Sequence, residues 1–223
     1  MAVNEEKYRE IVQELGPGVT LVAVSKTKPI DDILALYALG HRHFGENYVQ
    51  ELADKYAELP ADITWHFIGH LQSNKARQVV PVAALIQGVE SFKLLKEINK
   101  QAEKIGKQVN VLLQVHIARE ETKFGLDEAE LAIILQPDQL LPLKNVLIKG
   151  LMGMASFTAD AGVVTGEFNR LQQLYVFYKE KSLPQTDFNT LSMGMSSDYP
   201  LAVASGSNMV RIGSLLFGER NKR

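Results

Sequence analysis

The chain has 223 residues, 46% of them hydrophobic and 22% charged, which is the composition of a folded protein that can bury a large core. Its formal net charge of −2 gives no field that would attract nucleic acid or an anionic membrane, and without cysteine it has no disulfide, catalytic thiolate or thiolate metal site. No apolar stretch reaches the length of about 20 residues that spans a bilayer, and the charged segment 1–16 is unlike a signal peptide, so we expect a cytoplasmic protein.

Segments with the apolar periodicity of strands and helices alternate along the chain. In chain order the predicted elements are a helix 4–15, a strand 19–25, a helix 31–39, a strand 43–45, a helix after 46–47 to about 57, a strand 63–68, a helix 73–80, a strand 84–89, a helix 92–105, a strand 109–117, a helix 126–135, a strand 146–152, a helix 168–181, a strand 190–193, a helix opened by 196–198 and closed by Gly206, a strand 209–212 and a helical turn 213–217. Ser73 and Ser91 are expected to cap the helices that they begin, and Pro137 to stop the helix before it.

This alternation predicts the fold class, α/β with parallel strands joined by right-handed crossovers. About eight strand–helix units in this length favour a single closed (β/α)₈ barrel of the TIM type. An open doubly wound sheet is the alternative, because two of the predicted strands are short. No linker or low-complexity segment interrupts the pattern, so residues 1–223 are expected to form one domain.

The first predicted strand is an apolar run that leads to Lys26, shortly before Pro29. Because strand side chains alternate, Lys26 shares a face with Val22 and Val24, and if that face points inward its amine reaches the barrel mouth, where active sites lie. Burial favours the neutral amine, which forms a Schiff base with an aldehyde. The alternatives are an ordinary strand-end lysine with its ammonium in solvent, and Lys28 as the reacting amine.

Two late segments, 191–198 and 205–214, indicate a phosphate site. Each runs from a strand end through small residues into a helix start, and the loops after strands 7 and 8 of such barrels frequently bind phosphate through backbone amides. Ser196 and Ser214 could add hydroxyl donors. The alternative is that these serines are ordinary helix caps and the glycines ordinary turns.

Arg211 lies in an otherwise apolar final strand and, if buried, needs an acceptor. The acceptor could be a phosphate, a carboxylate in a structural ion pair, or a ring nitrogen of a bound ligand. A Schiff-base lysine combined with a phosphate site implies a ligand with both an aldehyde and a phosphate, and pyridoxal 5′-phosphate (PLP) is the obvious candidate.

Several sequence blocks in fixed order match a known family: 23–29, 44–51, 65–75, 150–152, 191–198 and 206–213. Through them the chain resembles the pyridoxal phosphate homeostasis proteins, the YggS/PROSC family, over essentially its whole length. The resemblance implies a monomeric PLP-binding barrel similar to the N-terminal domain of alanine racemase. It also implies the residues that hold the cofactor: Lys26 as the Schiff-base lysine, Asn47 near the ring, Arg211 facing the pyridine nitrogen, and Ser196, Gly213 and Ser214 around the cofactor.

The resemblance further implies a role in PLP homeostasis and in the balance of amino acids and keto acids, without robust catalytic activity. Arginine can donate to the ring nitrogen but does not readily protonate it, so carbanion chemistry is less assisted. We also expect neither the C-terminal β-domain nor the dimer partner that completes the site in active relatives.

Two other functions are compatible with the sequence. One is a PLP-dependent racemase or decarboxylase, for which Tyr48, Tyr199 or His66 would be the second acid or base. The other is a metabolite-sensing module that acts through a protein partner. The partners expected are PLP itself and PLP-dependent apo-enzymes that would receive it.

The remaining histidine signals are weak. The five histidines are too irregularly spaced for a metal site, and His66 is expected to be a satisfied core residue.

Compared with the family, the N-terminal helix is short, His70 stands where a small residue or proline is usual, and Ser214 stands where threonine is usual.

Overall fold

The computed structural model describes residues 3–120 and 123–218, and its centre is a closed barrel of eight parallel strands. The strands pair in sequence order, and β8 closes the barrel against β1. They are β1 Thr20–Val24, β2 His43–Glu46, β3 Thr64–Phe67, β4 Leu85–Val89, β5 Val109–Val115, β6 Val146–Gly153, β7 Thr186–Ser192 and β8 Met209–Ile212. The predicted single closed (β/α)₈ barrel is confirmed, and the open-sheet alternative is wrong.

Helices connect the strands and cover the barrel. They are α1 Glu5–Leu15, α2 Ile30–Ala38, α3 Val49–Glu58, α4 Ala76–Val79, α5 Phe92–Lys104, α6 Glu128–Ile134, α7 Pro137–Leu140, α8 Ala161–Lys179, α9 Tyr199–Ala204 and α10 Ser214–Phe217. Ser91 caps α5 through its side chain, as predicted, and Asn4, predicted to begin the first helix, caps α1. No helix within residues 3–120 and 123–218 is long and apolar enough to cross a membrane.

Three predicted helix boundaries are wrong for local reasons. Ser73 does not cap an α-helix but begins a 3₁₀ turn, Ser73–Lys75, that leads into α4. Pro137 follows the end of α6 but is also the first residue of α7. A proline is tolerated at the first position of a helix, because the amide that it lacks would have no partner within the helix. Helix α8 starts at Ala161 instead of at residue 168. The Asp160 carboxylate accepts hydrogen bonds from two backbone amides at this start, which offsets the poor helix propensity of the glycines and β-branched residues that follow.

The apolar residues form two layers because side chains alternate along each strand. Outward-facing strand residues such as Phe44, Trp65 and Phe67 are buried under the helices. The barrel interior has its own small cluster, consisting of Val22, Leu85, Leu112, Met152 and Met209. Val22 is thus inward, and this places the face that it shares with Lys26 inside the barrel, as the alternation predicts.

Candidate functional site

A cavity of about 430 Å³ opens at the carboxyl ends of the strands. Its lining contains all six residues predicted to hold a cofactor: Lys26, Asn47, Ser196, Arg211, Gly213 and Ser214. Val24, Ile68, Met154 and Phe157 add apolar surface to the same walls. The structure therefore brings together an amine, a guanidinium, an amide and two hydroxyls from segments at opposite ends of the chain.

Lys26 is partly buried and follows β1 by two residues, directly above inward-facing Val24. The backbone after it is unusual, because Thr27 has φ of 62°, in the left-handed region that a β-branched residue rarely adopts. The Thr27 amide donates to the Glu51 carboxylate at 2.7 Å. This hydrogen bond from α3 holds the strained turn in the conformation that presents Lys26 to the cavity.

A buried charged cluster supports the other side of Lys26. The ammonium of Lys55 donates to the Ser25 carbonyl at 2.8 Å, to Glu46 at 2.7 Å and to Glu51 at 2.9 Å. The Ser25 hydroxyl also donates to Glu46, at 2.6 Å. Both residues that flank Lys26 are therefore bound to this cluster. Sequence reasoning missed it, although the i,i+4 spacing of Glu51 and Lys55 on a helix is a signal for part of it.

The two carboxylates of this cluster differ in their electrostatics. Burial raises the pKa of Glu46, with Lys55 and Ser25 acting in the opposite direction. Burial also acts to raise the pKa of Glu51, but the Thr27 amide and Lys55 outweigh it, and the pKa is lowered. Glu51 is thus the firmly ionised acceptor for the Thr27 turn.

Lys28, the rival amine, also lines the cavity, but its ammonium is used elsewhere. It donates to the carbonyl oxygen of Phe217 at 2.6 Å and, at 3.4 Å, to that of Gly218. These bonds tie the turn after β1 to the end of α10. Lys28 therefore has a structural task at the rim of the cavity.

Asn47 follows β2, lines the cavity and has an unsatisfied side-chain atom. Within the described residues its Oδ1 atom is buried and accepts no hydrogen bond. Its backbone is fixed by Gly69, since a Cβ at Gly69 would lie 2.2 Å from the Asn47 carbonyl oxygen. A buried acceptor without a donor is costly, and a bound ligand that donates there would remove the cost.

The loops after β7 and β8 meet at the opposite wall. The Gly213 amide donates to the Ser196 hydroxyl at 3.3 Å, and the Met195 amide donates to Asp198 at 2.6 Å. Neither serine is an ordinary helix cap, because α9 has Asp198 at its N-cap and α10 has Gly213. The cap alternative is therefore wrong, and both hydroxyls are positioned at the cavity.

Arg211 is 4% exposed and projects from β8 into the cavity wall. Its NH1 group donates to the Ser192 hydroxyl at 2.6 Å and its NH2 group to the Gly153 carbonyl at 2.9 Å. Among the described residues it forms no ion pair with a carboxylate, so the structural ion-pair alternative is wrong.

The electrostatics of Arg211 suit a ligand with an acceptor atom. Burial lowers its pKa to about 10, while Asp198 acts in the opposite direction, so the guanidinium remains protonated at neutral pH. A guanidinium has five N–H donors, and the two bonds to Ser192 and Gly153 leave others for a ligand.

The three candidate acid–base residues are not part of this lining. Tyr48 is 52% exposed. The Tyr199 hydroxyl donates to Glu14, and burial together with this hydrogen bond raises its pKa to about 12. His66 is buried inside the barrel, where burial lowers its pKa to about 3, and it has hydrogen-bond partners, as expected of a core histidine.

His70 is also outside the lining. It pairs with Glu90 at 2.7 Å and stacks on Phe124. The described residues contain no group of three or more His, Asp or Glu side chains that could hold a metal ion.

Comparison with known proteins gives three findings. A family model described as the alanine racemase N-terminal domain matches residues 4–221. A protein of Synechocystis named pyridoxal phosphate homeostasis protein is 41% identical over 215 residues, which cover 96% of this chain and 97% of that protein. The solved structures of PipY from Synechococcus elongatus, without PLP and with PLP bound, are 40% identical, with TM-scores of 0.89 and 0.87 over 96% of this chain and 99% of PipY.

A more distant likeness concerns the fold alone. The alanine racemase of Bartonella henselae is 18% identical, with a TM-score of 0.71 over 97% of this chain and 60% of the racemase.

Proposed function

The chain belongs to the family of pyridoxal phosphate homeostasis proteins, and we propose that it binds PLP at the barrel mouth, covalently on Lys26, and acts in PLP homeostasis and in amino-acid and keto-acid balance. The observation that carries this proposal is the convergence of Lys26, Arg211 and two serine-bearing loops on one cavity. PLP bound to PipY in the same fold supports it.

The donors and acceptors on the cavity wall fit the groups of PLP. The Lys26 amine suits the aldehyde, with which a lysine forms a C=N bond and releases water. The Ser196 and Ser214 hydroxyls, beside the close backbone at Gly213, suit the phosphate. Arg211 has donors for a ring nitrogen, and the buried Asn47 oxygen would accept from a ligand hydroxyl.

This chain's own residues hold the ligand more than they move protons. Arg211 stays protonated, so it would donate to a ring nitrogen without transferring its proton. Tyr48, Tyr199 and His66 lie outside the cavity lining, which leaves the proposed site without an evident second acid or base. We therefore propose a binding protein without robust catalytic activity, in preference to a racemase or decarboxylase.

A visible absorption spectrum of the protein mixed with PLP tests the assignment of Lys26. The wild type should show the band of a protein-bound Schiff base, and Lys26→Ala should lose it. Lys28→Ala is the matched control and should keep the band, because the Lys28 amine contacts the end of α10. A full band in Lys26→Ala, or its loss only in Lys28→Ala, would contradict the assignment.

The enzyme alternative predicts turnover of amino acids. Racemisation and decarboxylation should stay at the level of free PLP when the PLP-loaded protein is incubated with a panel of amino acids. Turnover well above that level, abolished in Lys26→Ala, would favour the enzyme.

The remaining features of the proposal rest on the family resemblance. We propose a monomer that acts in the cytoplasm and passes PLP to PLP-dependent apo-enzymes. Sedimentation, cell fractionation and transfer of bound PLP to an apo-enzyme test these three features separately.

A further inference from the structure

A chain of hydrogen bonds crosses the barrel interior from the cavity. Arg211 donates to Ser192 at 2.6 Å, and the Ser192 hydroxyl donates to Gln87 Oε1 at 2.7 Å. Gln87 Nε2 lies 3.1 Å from His66 Nδ1, and His66 Nε2 lies 3.0 Å from His43 Nδ1. Five side chains from five strands thus connect the cavity wall to His43, the first residue of β2, at the opposite end of the barrel.

The groups at each step fix the direction of the bonds in this chain. A guanidinium only donates, so the Ser192 oxygen accepts from Arg211, and the Ser192 hydroxyl donates to Gln87 Oε1 because an amide oxygen only accepts. The Gln87 amide nitrogen then faces His66 Nδ1, which must accept. The second hydrogen of that amide points to Met209 Sδ at 3.2 Å. His66 therefore carries its hydrogen on Nε2 and donates to His43 Nδ1.

Burial isolates the central part of this chain from water. Ser192 and Gln87 have no exposed surface, and His66 is 2% exposed. Because unpaired polar groups are costly at such depth, breaking one bond leaves its neighbours without partners. Only His43 is partly exposed, so it is the member that solvent protons reach most easily.

We propose that Ser192, Gln87 and His66 are positioning residues for Arg211, and that they make cofactor binding sensitive to the state of His43. The inference rests on the proposed function, because the ligand that Arg211 faces is taken to be PLP. A hydrogen on His43 Nδ1 would point at the hydrogen on His66 Nε2, so the hydrogen bond between the two rings would be lost. The resulting shift of His66 would weaken the bonds that Gln87 and Ser192 make, and with them the bond that holds the Arg211 guanidinium.

Few other charged groups face the histidine pair. His41, on the segment before β2, donates from Nε2 to the His43 carbonyl at 2.7 Å. Arg42 is paired with Asp62 at 2.7 Å. Within the described residues no carboxylate forms an ion pair with His43 or His66, so protonation of the pair has no local compensation.

The first test needs no cofactor. Nitrogen-15 NMR of the apo-protein at neutral pH should show His66 as the neutral tautomer with hydrogen on Nε2. A cationic His66, or the Nδ1–H tautomer, would overturn the proposal even if PLP binds normally. Conversely, if wild-type protein fails to bind PLP but His66 has this tautomer, the proposed function fails while the direction of the chain stands.

The second test measures PLP affinity by spectral titration. Gln87→Met keeps the size of the side chain and removes its hydrogen bonds to Ser192, His66 and Met209, so the dissociation constant should rise about tenfold. Gln114→Met is the matched control, since Gln114 is also buried but donates to the Phe124 carbonyl, and it should bind like the wild type. If Gln87→Met does not fold, Ser192→Ala replaces it. Wild-type affinity in the variant that folds would overturn the positioning role.

The third test compares pH profiles. All other ionisable groups are the same in the two proteins, so the informative quantity is the difference between wild type and His43→Gln, in which an amide oxygen replaces the titrating acceptor. Affinity should fall more steeply on acidification in the wild type. Coincident profiles would overturn the link to His43.

Discussion

At the scale of single residues, the turn that carries Lys26 depends on Glu51. Thr27 adopts a left-handed conformation that costs on the order of 1 kcal/mol for a residue with a Cβ. Its amide donates a hydrogen bond to the carboxylate of Glu51 in α3. The same carboxylate binds Lys55, which in turn binds the Ser25 carbonyl. Glu51 is thus placed to keep both flanks of Lys26 in position.

We expect Glu51→Ala to lower the free energy of unfolding by about 2 kcal/mol, because it removes the acceptor of two hydrogen bonds, one of them charged on both sides. PLP should also bind more weakly, since the turn no longer fixes the Lys26 amine. Urea unfolding and spectral titration measure the two effects.

Two variants sharpen the interpretation. Glu51→Gln keeps an acceptor for the Thr27 amide and should recover much of the PLP affinity. Glu58→Ala removes an exposed carboxylate from the same helix and should change neither quantity. Equal losses in Glu51→Ala and Glu58→Ala would argue against the Thr27 contact as the cause.

At the scale of elements, close packing between the loops after β2 and β3 positions Asn47. A Cβ at Gly69 would lie 2.2 Å from the Asn47 carbonyl oxygen, and a Cβ at Gly88 would lie 2.6 Å from the Gly69 carbonyl oxygen. These glycines let three successive segments stack at the barrel mouth. The buried Asn47 oxygen that we assign to the ligand depends on this stack.

Gly69→Ala should therefore displace the loop that carries Asn47, with a loss of about 2–3 kcal/mol in unfolding free energy and weaker PLP binding. Gly18→Ala is the matched control, because a Cβ there meets nothing within 4 Å. Thermal unfolding and PLP titration of both variants provide the check. If Gly69→Ala is as stable as Gly18→Ala, the loops can move apart at little cost, and the packing at Gly69 does not fix the position of Asn47.

At the scale of the whole molecule, buried histidines make stability depend on pH. Burial lowers the pKa of His66 to about 3 and that of His41 to about 4, from an ordinary value of 6.5. Below pH 6.5 the unfolded chain binds protons that the folded protein excludes, so stability falls as the pH drops towards these values. Buried Glu46, whose pKa is raised, acts in the opposite sense.

Acidification from pH 7 to pH 4 should lower the free energy of unfolding by on the order of 3 kcal/mol for each histidine that stays neutral in the folded protein, since one pKa unit corresponds to about 1.4 kcal/mol. Urea unfolding of the apo-protein across this range measures the slope. The His41→Gln variant should lose part of the slope. If its slope equals that of the wild type, another group causes the acid sensitivity.

The sequence by itself determined the order of the elements and the residues of the proposed site. Apolar alternation predicted eight strands in barrel order, and the period of two predicted that Lys26 shares the inward face of Val22. All six residues chosen for the cofactor, several of them through the family sequence blocks, line one cavity. The fold and the inward face are confirmed because strand periodicity is a local property, and the six residues lie together because the carboxyl ends of parallel strands always meet at one edge; their contact with a cofactor stays a prediction.

Only the tertiary structure decided which side chains meet inside the barrel. Ser192 and Gln87 are 105 residues apart, and nothing in either segment indicates the other. The left-handed Thr27, the cluster around Lys55 and the hydrogen-bond direction from Arg211 to His43 likewise follow from closure of the barrel. Closure removes these polar groups from water, and they must then find partners wherever the fold brings them together.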